Sequence, residues 1–150
     1  MQVDPRGPRF SATVTTVILV AVLVTGSWAL LAAQAVVFAI ATFLGLRYAP
    51  YGLAFRVLIR PRLAPPRELE DAAGPRFAQG VGLAFALVGT VGYVTGTTWL
   101  GIGATALALA AAFLNAAFGF CLGCEMYLMI RRSRPGGVGG RPPSRSSAPT

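Results

Sequence analysis

The chain contains no histidine and no lysine, and only five of its 150 residues are acidic. Without histidine, neither a Ser-His-Asp triad nor a histidine-based metal site can form. No glycine-rich phosphate loop is present. Two cysteines with Glu125 supply too few ligands for a tetrahedral metal site unless a second subunit contributes. We therefore expect no cofactor and no bound metal, and the common hydrolytic and nucleotide-binding chemistries are excluded.

Charge is also missing from two long stretches of the chain. There are 37 consecutive uncharged residues between Arg9 and Arg47, and 48 between Arg76 and Glu125. One helical crossing of a bilayer takes about 20 residues, because a helix rises about 1.5 Å per residue. Each stretch is therefore long enough for two crossings. A hydrophobic content of 55% and a mean hydropathy of +0.64 also indicate a membrane protein rather than a soluble domain.

Each uncharged stretch is preceded by a copy of one short motif. Asp4-Pro-Arg-Gly-Pro-Arg-Phe10 returns as Asp71-Ala-Ala-Gly-Pro-Arg-Phe77. Two helix hairpins that start on the same side of a membrane have the same orientation. The sequence therefore predicts an all-α membrane protein with four transmembrane helices. These form two duplicated parallel helix hairpins, each followed by a short interfacial helix.

Charges and turns set the predicted boundaries. We expect an N-terminal tail over residues 1–9, a first hairpin repeat over 10–61, a linker over 62–76, a second hairpin repeat over 77–132 and a disordered tail over 133–150. The spans are placed at residues 10–25, 29–46, 77–96 and 100–118, and the interfacial helices at 51–60 and 122–132. Pro50 is expected to interrupt the second helix.

All 13 basic residues are arginines, and none lies in the two short turns inside the hairpins. Positive charge that flanks a span is retained on the cytoplasmic side. The turns near Trp28 and Trp99 are therefore predicted to lie outside, and the N-terminus, the linker and the C-terminus inside. Because the arginines that give the net charge of +8 flank spans, we expect the lipid bilayer as a partner and no nucleic acid.

The two cysteines, Cys121 and Cys124, stand three residues apart in the second half. Residues with this spacing on a helix come within disulfide reach, and Gly123 makes opening of the turn easier. The aligned positions of the first half are Pro50 and Leu53, so the thiols are an addition to one half. This difference favours a function of the pair over a scaffold role shared by both halves.

Three side chains near the cysteines are candidate supporting residues. Glu125 is a possible proton acceptor for a thiol, and Tyr127 a partner for the Cys124 sulfur or a headgroup anchor. Asn115, like Gln34, is typical of an interhelical hydrogen bond, with ligand binding as the alternative. Because the predicted cytoplasmic location is reducing, we expect a redox or sulfur-carrying pair rather than a structural disulfide. The alternative is that both cysteines are small packing residues.

The charged residues of the two motif copies, Asp4, Arg9, Asp71 and Arg76, are candidates for fixing the half-to-half register. A two-fold arrangement would bring Asp4 near Arg76 and Asp71 near Arg9, which predicts two ion pairs. The alternative is that all four residues flank the spans independently.

The chain resembles a bacterial membrane family described as a domain of unknown function, number 4395. The resemblance covers about residues 3–132. It is carried by Asp4-Pro-Arg-Gly-Pro-Arg-Phe10, Glu70-Asp-Ala-Ala-Gly-Pro-Arg-Phe-Ala-Gln79 and Phe113-Leu-Asn-Ala-Ala-Phe-Gly-Phe-Cys-Leu-Gly-Cys-Glu-Met-Tyr127. Members of that family are often encoded near thioredoxin-fold and sulfurtransferase proteins. The resemblance therefore implies a bacterial cytoplasmic membrane, thiol or sulfur metabolism, and a thioredoxin-like or sulfurtransferase partner, but no defined activity.

These observations lead to three hypotheses. The first is a membrane protein whose cytoplasm-facing Cys121 and Cys124 exchange electrons or sulfane sulfur with a cytosolic thiol partner. The second is a structural subunit that docks a partner on its inner-face helices. The third is a carrier for a small sulfur species, although no ionisable residue lies within a span to couple it to ions.

Overall fold

The computed structural model describes residues 2–65 and 69–133, which are mainly helical. The α-helices are α1 (Arg6–Thr25), α2 (Trp28–Ala39), α3 (Pro50–Ala54), α4 (Ala73–Val94), α5 (Thr98–Phe118) and α6 (Leu122–Ser133). π-helical turns at Ile40–Leu44 and Phe55–Ile59 prolong α2 and α3, and 3-10 turns lie at Leu46–Tyr48 and Arg60–Arg62. Two short strands, β1 (Gln2–Val3) and β2 (Glu70–Asp71), pair antiparallel. The tail predicted to be disordered lies outside the described residues, except for Ser133.

Three of these helices, α1, α4 and α5, are long and apolar enough to cross a membrane. The helix predicted over residues 29–46 is shorter: 12 residues in α2 and five in the π-helical turn that follows. It ends at Gly45, whose φ of +108° leaves the helical region. Pro50 therefore does not interrupt this helix. It begins α3 instead, where its missing N–H is no loss because the first helical N–H groups lack partners anyway.

The core lies where the four longest apolar segments meet. Helix α1 packs mainly on α5, α2 on α4, and α4 on α5. Leu19, Val22 and Leu31 are fully buried between them. Glycine permits the closest crossing: a Cβ added at Gly92 would lie only 2.5 Å from the backbone nitrogen of Gly101. Small residues at helix contacts and large apolar side chains on the outer faces are typical of helices in lipid.

The two motif copies meet at one end of the bundle. β1 lies beside β2 with Val3 opposite Glu70, which are equivalent positions in the two copies. Each helix start is capped in the same way, because Asp4 and Asp71 each accept the backbone N–H two residues further on, at 3.0 Å. Helices α1 and α4 consequently begin four residues before the predicted span starts at residues 10 and 77.

Arg9 and Arg76 connect the halves of the chain through the ends of helices. The guanidinium of Arg9 donates to two carbonyls at the end of α5, and that of Arg76 to two carbonyls in the turn that prolongs α2. The acceptors are Ala116 and Ala117 at 3.1 and 3.2 Å for Arg9, and Thr42 and Phe43 at 2.6 and 3.1 Å for Arg76. Carbonyls at a helix end lack intrahelical partners and carry partial negative charge, so both arginines satisfy and neutralise them.

The ion pairs predicted between the motif copies do not form, because the two aspartates are satisfied locally. Asp4 pairs with Arg6 at 2.9 Å. The hydrogen bond from the Arg6 side chain holds the pKa of Asp4 below its usual value. Asp71 accepts the N–H of Ala73 in its own copy of the motif. Among the four charged residues of the motif, Arg9 and Arg76 therefore link the halves, and they do so through backbone carbonyls.

Candidate functional site

Cys121 and Cys124 lie at the start of α6, and the structure joins them in a disulfide. Their Cα atoms are 5.1 Å apart, within the range that a disulfide needs. The chain leaves α5 at Gly119, where a φ of +67° ends the helix. The N–H of Cys124 donates to the Cys121 sulfur at 3.2 Å, so Cys121 caps α6. The three-residue spacing thus brings the sulfurs together within one turn, as the sequence predicts.

The disulfide forms part of the wall of a cleft of about 620 Å³. Asn115, Glu125 and Tyr127 line the same cleft, together with Arg9 and Asp71. These residues come from the start of α1, from β2, from the end of α5 and from the beginning of α6. The fold therefore assembles most of the predicted site residues from distant parts of the chain. Arg76 and Asp4 lie outside the cleft lining.

Two glycines bring the disulfide close to α4. A Cβ at Gly123 would lie 2.5 Å from the Cβ of Ala78, so Gly123 allows close contact between α6 and α4. A Cβ at Gly74 would lie 3.5 Å from the sulfur of Cys124. We expected Gly123 to ease opening of the turn, whereas the geometry gives it a packing role between helices. The glycine–alanine contact leaves little room for α6 to shift without separating from α4.

The other supporting residues have distinct surroundings. The ring of Tyr127 packs on Phe77, with ring centroids 5.8 Å apart, which holds α6 on the start of α4. Glu125 is exposed at the cleft. Asn115 is half-buried, and its side chain makes no hydrogen bond to another described residue.

The interhelical hydrogen bond expected of both Asn115 and Gln34 is found at Gln34. Gln34 is almost completely buried; its amide nitrogen donates to Thr15 at 3.4 Å, and its carbonyl oxygen accepts from the Tyr51 hydroxyl at 2.6 Å. This network joins α1, α2 and α3. Burial raises the pKa of Tyr51, so the hydroxyl keeps the proton that it donates.

The cleft is also lined by Arg6, Gln79 and Arg131. Arg131 follows Cys124 by seven residues, or two helical turns, so the helical period alone places both on one face. Arg6 and Gln79 belong to α1 and α4, and no spacing in the sequence relates them to the cysteines. Their position depends on how the motif copies meet.

Together, the fold and the site define a helical protein of membrane type that carries a Cys-x-x-Cys pair. The chain belongs to the family described as Domain of unknown function (DUF4395), whose model matches residues 3–132. The match includes both motif copies and the cysteine pair, so it confirms the family resemblance. Comparison with curated proteins and with solved structures gave no significant match.

Proposed function

We propose that this protein crosses the bacterial cytoplasmic membrane four times and relays electrons or sulfur through Cys121 and Cys124 at the cytoplasmic face. Three helices have the length and apolarity of spans, and the 17 residues of Trp28–Leu44 reach the lower limit of about 17 for a fourth. The equivalent aspartate caps and arginine contacts of the two halves support a duplicated hairpin. The arginines support a cytoplasmic location for both ends and for the linker.

The observation that carries the redox proposal is the position of the disulfide in the wall of the cleft. Both cysteines are only partly buried, so a small thiol or an inserted side chain can reach them. Both cysteines lie at the start of α6, so we expect the pair to close and open without a rearrangement of the bundle. When the pair is reduced, Cys121 stands at the start of α6, where the helix dipole stabilises a thiolate.

The exchange needs no group beyond a partner dithiol, such as that of a thioredoxin-like protein. A partner thiolate attacks one sulfur of the disulfide, forms a mixed disulfide and releases the other cysteine as a thiolate. The second partner thiolate then attacks the mixed disulfide. The partner leaves oxidised, and the protein carries two thiols and two more electrons. The reverse sequence returns the electrons. Glu125 also lines the cleft, and in this proposal it accepts the proton of a cysteine thiol.

Sulfur transfer is the variant of this mechanism for a sulfurtransferase partner. A reduced cysteine thiolate attacks the outer sulfur of a partner persulfide. A new sulfur–sulfur bond forms on the cysteine, the partner's sulfur–sulfur bond breaks, and the partner leaves as a thiolate.

Single cysteine variants test the proposal. Cys121→Ser and Cys124→Ser each leave one thiol, and the variant that keeps the attacking cysteine should accumulate a mixed disulfide with a cytosolic partner. The complex should disappear on reduction, and the double variant should form none while remaining folded. If neither single variant forms a mixed disulfide although its thiol can be alkylated, the relay is wrong.

Topology needs its own experiment, because the relay depends on the side of the membrane. In a chain without the native cysteines, Ser27→Cys and Thr97→Cys should react with an impermeant maleimide from outside. Pro65→Cys and Gly140→Cys should react only after the membrane is opened. Labelling of position 65 from outside would contradict the duplicated hairpin.

A docking subunit is the second candidate, and the exposed apolar residues of α6 favour it. Met126, Met129 and Ile130 are 41%, 65% and 45% exposed. They suit a lipid surface or a partner protein equally well. A partner that still co-purifies with the double cysteine variant would favour docking over the relay.

A further inference from the structure

The first half of the chain contains a second cavity, of about 250 Å³, at the same end of the bundle as the cleft. The glycine of each motif copy lines one of the two: Gly7 the cavity and Gly74 the cleft. Where Gly74 faces Cys124, Gly7 faces the ring of Phe55, and an added Cβ would lie 3.5 Å from that ring. In the first half, the buried ring of Phe55 therefore takes the place that the disulfide has in the second half. The function of this cavity cannot be thiol chemistry.

Positive charge dominates the lining of this cavity. Its arginines are Arg47, Arg56 and Arg60. Asp4 also lines it, but the charge of Asp4 is balanced by its ion pair with Arg6. The described lining therefore carries an excess of positive charge. Segment 47–76 as a whole is also positive, with six arginines and three carboxylates.

The remaining lining is largely apolar and includes Val37, Ala41, Leu46 and Phe55. One guanidinium is held in place by the backbone, since Arg56 donates to the carbonyl of Arg47 at 2.6 Å. A guanidinium has five N–H donors, so Arg56 keeps others for a ligand. A cavity lined by apolar side chains and by three arginines fits a molecule that is both amphiphilic and anionic.

We propose that this cavity binds an anionic phospholipid. The headgroup phosphate contacts the arginines, and the carbon atoms next to it lie against the apolar wall. The cavity follows directly after α2 and lies at the end of the bundle where the motif copies meet, which is the headgroup level in the proposed topology. The proposal rests on that membrane placement and is independent of the thiol chemistry.

Binding can be measured on the full-length protein purified in a neutral detergent. Short-chain phosphatidylglycerol should bind saturably and raise the thermal unfolding midpoint. Phosphatidylcholine of the same chain length and inorganic phosphate at the same concentration should do so far less. Equal stabilisation by phosphatidylcholine would mean that only apolar filling matters, and equal binding of inorganic phosphate would mean a site for soluble anions. Either result overturns the proposal.

Arginine variants locate the site. Arg60→Gln removes a cationic side chain that makes no hydrogen bond to another described residue, so the fold should tolerate it. One arginine near an anionic lipid contributes a factor of about five, so Arg60→Gln and Arg56→Gln together should weaken binding about 25-fold. Arg132→Gln is the matched control, because Arg132 lines neither cavity nor cleft. An equal loss of binding in that control would mean that the lipid is attracted by the overall positive charge of the protein, and it would overturn the proposed site.

A double variant, Cys121→Ser with Cys124→Ser, separates this inference from the proposed relay. Its affinity for phosphatidylglycerol should equal that of the parent, since the cysteines line the cleft and not the cavity. A large loss of lipid binding in this variant would place the lipid in the cleft instead, which contradicts the inference. Loss of partner trapping with lipid binding retained would affect only the relay.

Discussion

The two halves of the chain start from one motif, and the structure gives that motif the same local contacts in each half. An aspartate caps the first helix, and an arginine holds the end of the other half's second helix. The segments that follow the second helices also return to equivalent places: Phe55 packs on Phe10, and Tyr127 on Phe77. The shared contacts define the frame of the bundle.

The halves differ in what faces the motif glycine. The second half presents a disulfide in a roomy cleft, and the first half presents a buried phenylalanine beside three arginines. The contacts that hold the helices together are thus the same in both halves, whereas the disulfide and the cluster of arginines each occur in one half. The comparison therefore separates a frame with equivalent contacts in both halves from two sites, each of which differs from its counterpart in the other half.

The largest effect is expected from the thiols. Replacing both Cys121 and Cys124 by serine should abolish mixed-disulfide formation, because no other sulfur nucleophile exists except the inert thioethers of methionine. Leu53→Ser, at the position of the first half aligned with Cys124, is the matched control and should leave exchange intact. Reductant-sensitive complexes on non-reducing gels provide the measurement. If the Leu53 variant lost thiol exchange although its stability was unchanged, the claim that exchange belongs to the second half alone would be wrong.

The second-largest effect is expected from the contact between α6 and α4. Gly123→Ala should destabilise the protein by about 1–3 kcal/mol, because its Cβ would overlap Ala78 and force α6 from α4. Gly103→Ala is the control, since a Cβ there meets nothing within 4 Å and alanine favours a helix. Unfolding in detergent and the rate of thiol labelling after reduction would both report the change. Equal stability of the two variants would show that α6 does not depend on this contact.

The arginines that connect the halves should have equal, smaller effects. Arg9→Gln and Arg76→Gln each lose hydrogen bonds to two carbonyls, and because both side chains are exposed we expect about 1 kcal/mol from each. Exchanging the charges of Arg9 and Asp71 should give no rescue, because the two do not pair. A double-mutant cycle that showed coupling between them would restore the ion-pair model.

The smallest effect concerns the aspartate caps and pH. The pKa of Asp4 is lowered in the folded protein by its hydrogen bond from Arg6, so its stabilisation is present above the unfolded value near 3.8. It is lost as the pH falls through the lower folded pKa. Asp4→Asn should therefore reduce the acid sensitivity of unfolding more than Asp71→Asn, whose carboxylate accepts a backbone N–H without an ion pair among the described residues. Identical pH profiles for the two variants would contradict this difference.

Some of these features could be predicted from the sequence and others could not. Helix positions followed from the uncharged runs because their apolarity is a local property, and three of the four expected spans coincide with long apolar helices. The second helix ends early because Gly45 adopts a positive φ, which no periodicity indicates. The ion pairs were wrong because each aspartate finds a nearer donor, a backbone N–H two residues ahead.

By itself, the sequence determined the family, the helical class and the spacing that lets Cys121 and Cys124 join within one turn, because all of these depend on residue types and short separations. The tertiary structure alone decided what surrounds the pair. The crossing of helices brought Arg6, Arg9 and Gln79 to the cleft. It also brought arginines from the segment that follows α2 to a cavity beside Phe55. Such groupings depend on contacts between residues far apart in the chain, and one sequence does not encode those separations as a local pattern.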